Sequence, residues 1–287
     1  MNNKENVKGR IQLFIARTVA YIILIFLAVL CLFSFYMLII NSTRSNAQLQ
    51  AGFTLMPKNN FFVNLKNAWN DQSINIPRGM LNSFFIATCS AILTTYFSAL
   101  TAFGIHAYNF KLKRAAFLFI MAVMMIPPQV SAVGFIQLVY KFHLTNNYIP
   151  LIVPSIAAPV VFFYMKQYLE SVLPMEMVEA ARVDGSSEFR TFNTIVLPIM
   201  KPAIAVQMIF SFVSSWNNYF IPALLLDKAE LKTVPIMIAQ LRSADYSKFD
   251  MGKVYMFILL AILPVLVVYI FLSKSIIRGV TAGSVKG

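Results

Sequence analysis

Apolar runs long enough to cross a membrane decide what this chain can fold into before any motif is considered. A helix needs roughly 20 apolar residues to span hydrocarbon, and six stretches qualify, at about 17–41, 81–108, 115–140, 149–166, 203–226 and 253–273. Hydrophobic residues make up 59% of the chain and charged residues 12%, against roughly 45–50% apolar in an average soluble domain. The expected fold is therefore all-α and integral to a membrane, with six transmembrane helices. The first run follows the polar leader MNNKENVKGR, but its apolar length exceeds a signal-peptide core and no clear small-residue cleavage site follows. It is expected to stay as an anchor.

Lys and Arg outnumber Asp and Glu by 24 to 11, giving a net charge of +13. In a soluble protein that excess would suggest nucleic acid. Here no nucleic-acid motif accompanies it, and the cations flank the apolar runs, where they hold helix ends against anionic headgroups. With the N-terminus inside, inner segments hold 14 Lys and Arg and outer segments 10, and the tight hairpin NFKLKR, with Lys111, Lys113 and Arg114, votes most clearly for the inside. Both termini and loop 167–202 are expected in the cytoplasm, with 42–80 and 227–252 outside.

All 11 acidic residues fall outside the six runs, whereas an ion-coupled carrier needs an ionisable group within the membrane to bind its coupling ion. The energy source is expected elsewhere. A membrane enzyme would need a catalytic constellation at one depth, and none is visible. Cys31 and Cys89 lie in apolar runs without metal or redox spacing and read as small core hydrophobes. His106, expected at the membrane interface, and His143 fall at opposite faces, so neither a metal site nor a cofactor is expected.

Outer loop 42–80 contains Phe61, Leu65, Ala68 and Trp69 at helical spacing, which predicts a short amphipathic helix. Pro127-Pro128 in the third run and Pro150, Pro154 and Pro159 in the fourth remove backbone donors, so kinks are expected there. Gln129 and Ser131 beside the first kink are candidates for a polar pathway. Asn217 and Asn218 either bridge helices or face that pathway. Trp216 is expected as an interfacial anchor rather than a stacking platform.

Between the fourth and fifth runs lies a long loop, YLESVLPMEMVEAARVDGSSEFRTFNTIVLPIMKP. Pro174 suits a first helical position, and Glu176 and Glu179 complement the positive end of a short helix. Ala180 and Ala181 leave one side of that helix nearly bare, and Gly185 permits a sharp turn. A second helix should present Phe189, Phe192 and Ile195 or Val196 as an apolar face, with Pro198 and Pro202 marking the return to the membrane. Such a pair of helices docks either on a soluble subunit or on the bundle itself.

Glu179-Ala180-Ala181, Asp184-Gly185, nine further residues and Ile195-Val196-Leu197-Pro198 resemble the EAA loop of ABC importer permeases, EAAxxDGx9IxLP, with every anchor at the expected spacing. SWNNYFIPALLL at 215–226, Asn82-Ser83 and the terminal RGVTAGSVKG are similar to sugar-importing permeases of the maltose-transporter type, specifically the second, six-span subunit of the heterodimer. The usual family form is closer to SWNEF where this chain has Asn218. The resemblance implies the type I ABC importer permease fold in a bacterial cytoplasmic membrane. It further implies coupling to the ATPase through Glu179, Ala180, Ala181, Asp184, Gly185, Ile195, Leu197 and Pro198, and a tail, including Gly279, Thr281, Gly283 and Lys286, that reaches the ATPase pair.

The chain has no GxxxxGK[ST] phosphate loop, so ATP hydrolysis is expected from a partner chain. The implied partners are a homologous permease, two ATPase subunits, an extracellular solute-binding protein and a sugar. The alternative solutes are a peptide, a polyamine or a glycerol phosphate ester, with an ion-coupled carrier as the competing class. Three segments are expected: 1–76 (tail, first helix and outer loop), 77–273 (transmembrane core with the coupling loop) and 274–287 (C-terminal tail).

Overall fold

The structure, a computed structural model, describes residues 2–243 and 250–284. Among these the regular elements are helical, and their order is as follows. Helix α1 spans Asn2–Ser42, α2 Asn46–Gln50 and α3 Phe61–Trp69, after which the long α4 spans Ile76–Ala107. Helices α5 (Lys113–Met124) and α6 (Pro128–Lys141) precede the short α7 (Ile149–Ile152), a 3-10 turn at Val153–Ile156 and α8 (Pro159–Val172). Then come α9 (Met175–Val183), α10 (Glu188–Thr191), a π-helical turn (Phe192–Val196), α11 (Leu197–Ile199) and α12 (Lys201–Trp216). Helices α13 (Phe220–Leu225), α14 (Val234–Ser243) and α15 (Met251–Ser284) complete the chain.

Four segments are long and apolar enough to span a bilayer: Leu13–Ser42, Ile76–Ala107, Ile149–Val172 and Met251–Phe271. Two bent pairs, α5 with α6 at 96° and the Glu188–Ile199 segment with α12 at 82°, are each apolar enough to be a broken span or a re-entrant loop. The expected run 115–140 is thus two helices, parted where Pro127 and Pro128 lack N–H groups to continue α5. Run 203–226 also fails as one helix: α12 stops at Trp216 and α13 starts at Phe220. In the fourth run Pro150, Pro154 and Pro159 each open a short helix instead of kinking one. Pro159 leaves the Ser155 carbonyl without its helical donor, and the Thr94 hydroxyl donates to it at 2.9 Å.

The chain divides into two compact units, Met1–Asn70 with Asp245–Leu260, and Asp71–Ala244 with Ala261–Gly287. In the first, the expected outer helix forms as α3, with Ala68 buried and Trp69 exposed. Its buried polar residue is Asn64, whose amide donates to the carbonyls of Ser42 at 2.8 Å and Arg44 at 2.9 Å. Those carbonyls lie past the last bonds of α1, so Asn64 closes that helix end. A Cβ at Gly252 would lie 2.5 Å from the Arg44 carbonyl and 2.8 Å from the Asn64 amide, so only glycine fits there. Cys31 is exposed on α1 and Cys89 is half-buried, so the expectation of core cysteines fails in this chain alone.

The second unit is organised around α4, which packs most extensively on α12 and α8. Its buried face carries Ala87, Ala91, Ala99 and Ala102, and small residues of this kind let helix backbones approach closely. Asn82 and Ser83 fix the start of α4 to the segment that follows α13. The Asn82 amide donates to the Glu230 and Lys232 carbonyls at 2.9 and 3.0 Å, and the Ser83 hydroxyl accepts from the Val234 N–H at 2.9 Å. Trp216 is neither an interfacial anchor nor a stacking platform. It is 3% exposed, stacks on Phe212 at 5.8 Å and donates its indole N–H to the Ala261 carbonyl at 3.2 Å.

Candidate functional site

The loop joining α8 to α12 is ordered by its own caps. Pro174, with ψ +134°, stands just before α9 instead of inside its first turn, and Glu176 occupies that turn at the positive helix end. The helix closes in a Schellman motif: the Gly185 N–H bonds to the Arg182 carbonyl at 3.0 Å and the Ser186 N–H to the Ala181 carbonyl at 2.9 Å. That closure requires the left-handed φ of +77° found at Gly185. The Ser187 hydroxyl then accepts from the Arg190 N–H at 3.4 Å and caps α10.

An ion pair clamps the two short helices across the turn, with Arg182 Nε 2.7 Å from Glu188 Oε1. The Arg182 guanidinium also lies over the Tyr108 ring, 5.4 Å from its centroid, tying the pair to the end of α4. Arg182 first, and then the Tyr108 hydroxyl, hold the Glu188 carboxyl below the usual carboxylate range. Burial first, and then Glu188, push the Tyr108 phenol up.

The expected apolar face of the second helix is divided. Phe192 and Val196 are fully buried in the bundle, with Phe192 stacked on Phe103 at 5.8 Å and meeting Tyr96 edge-on at 5.6 Å. The Tyr96 hydroxyl donates to Asn193 Oδ1 at 3.2 Å. Phe189 instead stands 65% exposed, and Val183, which was not expected to matter, is 88% exposed. The π turn follows from Pro198, which cannot donate to the Thr194 carbonyl; the Leu197 N–H reaches back to Phe192.

Of the motif residues, Glu179, Ala180, Asp184, Gly185 and Pro198 are exposed, Ile195 and Leu197 are half-buried, and Ala181 is buried. The alanine pair therefore splits: Ala180 is open to a partner, while Ala181 sits in the floor. Met177, Ala180, Ala181, Asp184, Gly185, Ser186, Arg190 and Ile195 line a concavity of about 450 Å³. An apolar floor with a charged rim suits a protruding segment of another protein.

A second cavity, of about 940 Å³, opens between α4, α8 and α12. Of the four pathway candidates, only Asn218 lines it. Asn217 is exposed at the end of α12, and Gln129 and Ser131 are exposed in the first turn of α6. The lining includes Gln207, Ser211, Ser214 and Ser215, which were not expected. Gln207, Ser211 and Ser214 recur at the i, i+4, i+7 spacing of one face of α12, a stripe legible in the fifth run, and Asn218 follows just past the helix end.

The backbone of Gly279, Thr281 and Gly283 continues α15, while Lys286 lies outside the described residues. Among the described residues no group of three or more His, Cys, Asp or Glu could hold a metal.

Residues 79–278 match the family described as "Binding-protein-dependent transport system inner membrane component". The arabinooligosaccharides transport system permease protein of Bacillus subtilis (strain 168) is 32% identical over 96% of this chain and 98% of its own length. The sn-glycerol-3-phosphate transport system permease protein of Pectobacterium atrosepticum is 29% identical over 86% of this chain and 90% of its own. Among solved structures, a bacterial ABC transporter involved in the import of the acidic polysaccharide alginate matches with a TM-score of 0.77 and 20% identity, over 90% of this chain and 96% of that one. That likeness shows the fold.

Proposed function

We infer the function from one premise: the chain belongs to the family of binding-protein-dependent transport system inner membrane components. It is a multi-pass membrane protein with the type I importer permease fold, and it serves an ATP-driven importer as a transport subunit whose ATPase is a separate chain. An ATPase and a solute-binding protein are its partners.

The solute is a sugar or oligosaccharide. The observation that carries this reading is the near full-length likeness to a permease named for arabinooligosaccharides. A second reading, a glycerol phosphate ester, draws on the somewhat weaker likeness to the sn-glycerol-3-phosphate permease.

At finer grain, the chain sits in a bacterial cytoplasmic membrane, pairs with a homologous permease as a heterodimer over two ATPase subunits, and contributes half of the pathway. Both termini and loop 167–202 face the cytoplasm, and the segments 1–76, 77–273 and 274–287 act as anchor, core and tail. Coupling runs through Ala180, Ala181, Asp184, Gly185 and Ile195, which line the loop concavity, and through Glu179, Leu197 and Pro198, which do not. This is supported by a loop clamped to its own bundle through Phe192 and Tyr108 while its outer face stays open. The tail from Gly279 to Lys286 is a further ATPase contact.

Uptake measurements test the solute. Cells with the complete importer should accumulate radiolabelled arabinotriose or another neutral oligosaccharide, and lose that uptake when this chain is deleted. Accumulation of sn-glycerol 3-phosphate with no sugar uptake would overturn the sugar reading.

A further inference from the structure

The C-terminal end of α1 carries a short loop that turns back along the helix, and all of it lies within the first unit. Helix α1 ends at Ser42, and the two residues that follow hold both arms of the loop. The Arg44 guanidinium, buried, donates from Nη2 to the Gly52 carbonyl at 2.6 Å and to the Gln48 carbonyl. Thr43 accepts from the Lys58 N–H at 2.8 Å through its hydroxyl and from the Asn60 N–H at 2.9 Å through its carbonyl. Between these pins the chain bends at Leu55 and Met56. The Tyr36 hydroxyl donates to the Leu55 carbonyl at 2.6 Å, so the tip lies beside α1 and not beyond its end.

That bond sets the depth of the tip. Tyr36 stands about 9 Å back from Ser42 along the helix axis, and helical side chains lean further back toward the N-terminus. The span Leu13–Ser42 has 30 residues and so measures about 45 Å, the full thickness of a bilayer with its headgroups, whose hydrocarbon core is about 30 Å. A span centred on that core puts Ser42 at the water surface and Tyr36 near the hydrocarbon boundary. The tip of the loop goes with Tyr36.

What the tip presents fits that depth. Phe53 and Met56 are 71% and 72% exposed, and Leu55 is exposed beside them. Residues 51–57 carry no charge, and the first cation, Lys58, stands at the base of the loop. Bare backbone groups are costly near hydrocarbon, and three positions at the tip avoid that cost. The Leu55 carbonyl has the Tyr36 hydroxyl, the Met56 N–H donates to the Thr54 hydroxyl at 3.2 Å, and Pro57 has no N–H. The most apolar stretch of α1 is itself unburied within the chain, so tip and helix continue one apolar surface.

We propose that loop 52–58 is a lipid-binding hook. Phe53, Leu55 and Met56 insert at the boundary between headgroups and acyl chains, Lys58 stays among the phosphates, and the hook fixes the depth of α1. Held in water instead, the same side chains would form an apolar patch without a cover. The hook goes beyond the importer reading and needs only that α1 spans the membrane.

The test places single cysteines, Met56→Cys or Asn59→Cys, in a complete importer otherwise free of cysteine. Each is spin-labelled and reconstituted into phosphatidylcholine vesicles. Relaxation of the label is read with oxygen, which concentrates among acyl chains, and with a neutral nickel chelate, which stays in water. At Met56 oxygen should relax the label several times more than the chelate does, and at Asn59 the order should reverse. Phe53→Cys should behave as Met56→Cys does, and it keeps the proposal testable if Met56→Cys does not assemble.

Chelate access at Met56 and Phe53 equal to that at Asn59 would overturn the hook by placing the loop in water. Shielding of both positions from oxygen and chelate alike would overturn it too, because a partner protein would then cover the loop. Both leaflets hold the same lipid, so neither result depends on which way the chain faces, and sugar uptake by the labelled importer checks the importer reading separately.

Discussion

At Gly185 the backbone takes φ +77°, and nothing lies within 4 Å of where a Cβ would stand. The demand is conformational and not steric, so the cost of a side chain is the left-handed strain alone, roughly 1–2 kcal/mol. Gly185→Ala should therefore assemble and keep much of the ATPase stimulation by loaded binding protein. Gly185→Pro is different in kind. Proline holds φ near about −65° and deletes the N–H that bonds to Arg182, so the turn cannot close and stimulation should be lost in a complex of normal yield. Equal loss in both variants would show that the site needs bare backbone for contact and not only the turn. Residues of this kind were legible: the EAA, DG and IxLP anchors name the turn and its flanks. Phe192 falls on an apolar face that could dock on a soluble subunit or on the bundle itself, and the structure roots it in the bundle; periodicity gives a residue's phase on its helix but not which neighbour fills that side.

Between elements, the Arg182–Glu188 pair joins α9 to α10, and its side chains are 35% and 41% exposed. A double-mutant cycle of Arg182→Ala and Glu188→Ala on thermal stability should give a coupling of about 0.2–1 kcal/mol, as for other solvent-screened pairs. The folded carboxyl titrates below its usual range, so the contribution is fully present above the unfolded value near about 4.3 and is lost only as pH falls through the lower folded value. The coupling should be the same at pH 6 and pH 8, and its disappearance between them would contradict the assignment. Five of the six runs were legible to within about six residues at each end, whereas the fifth run breaks at Trp216 and the 96° and 82° bends were not legible. Composition marks a proline-rich break without fixing the angle at which the next helix leaves. The α12 stripe was legible in principle from Gln207, Ser211 and Ser214, but it hides among Ser residues that apolar helices tolerate anywhere. The burial of Trp216 was not legible, since its indole partner is a backbone carbonyl on α15, and sequence does not display long-range carbonyls.

For the molecule as a whole, the proposed orientation would join the loop to the ATPase and the outer segments to the binding protein. A cysteine at Ser187 should resist an impermeant thiol reagent in intact cells, and one at Ser73 should react. The reverse pattern would put the coupling loop on the wrong side of the membrane and end the coupling account. The central claim, that loop 174–200 transmits ATPase closure to the bundle, is tested most directly at Glu179. Its side chain is exposed and, among the described residues, forms neither hydrogen bond nor ion pair, so reversing its charge leaves the fold of this chain intact and alters only what meets it. In proteoliposomes holding the complete importer, ATP hydrolysis stimulated by sugar-loaded binding protein should fall at least tenfold in Glu179→Arg while the complex purifies at normal yield; stimulation at the wild-type level would contradict the claim.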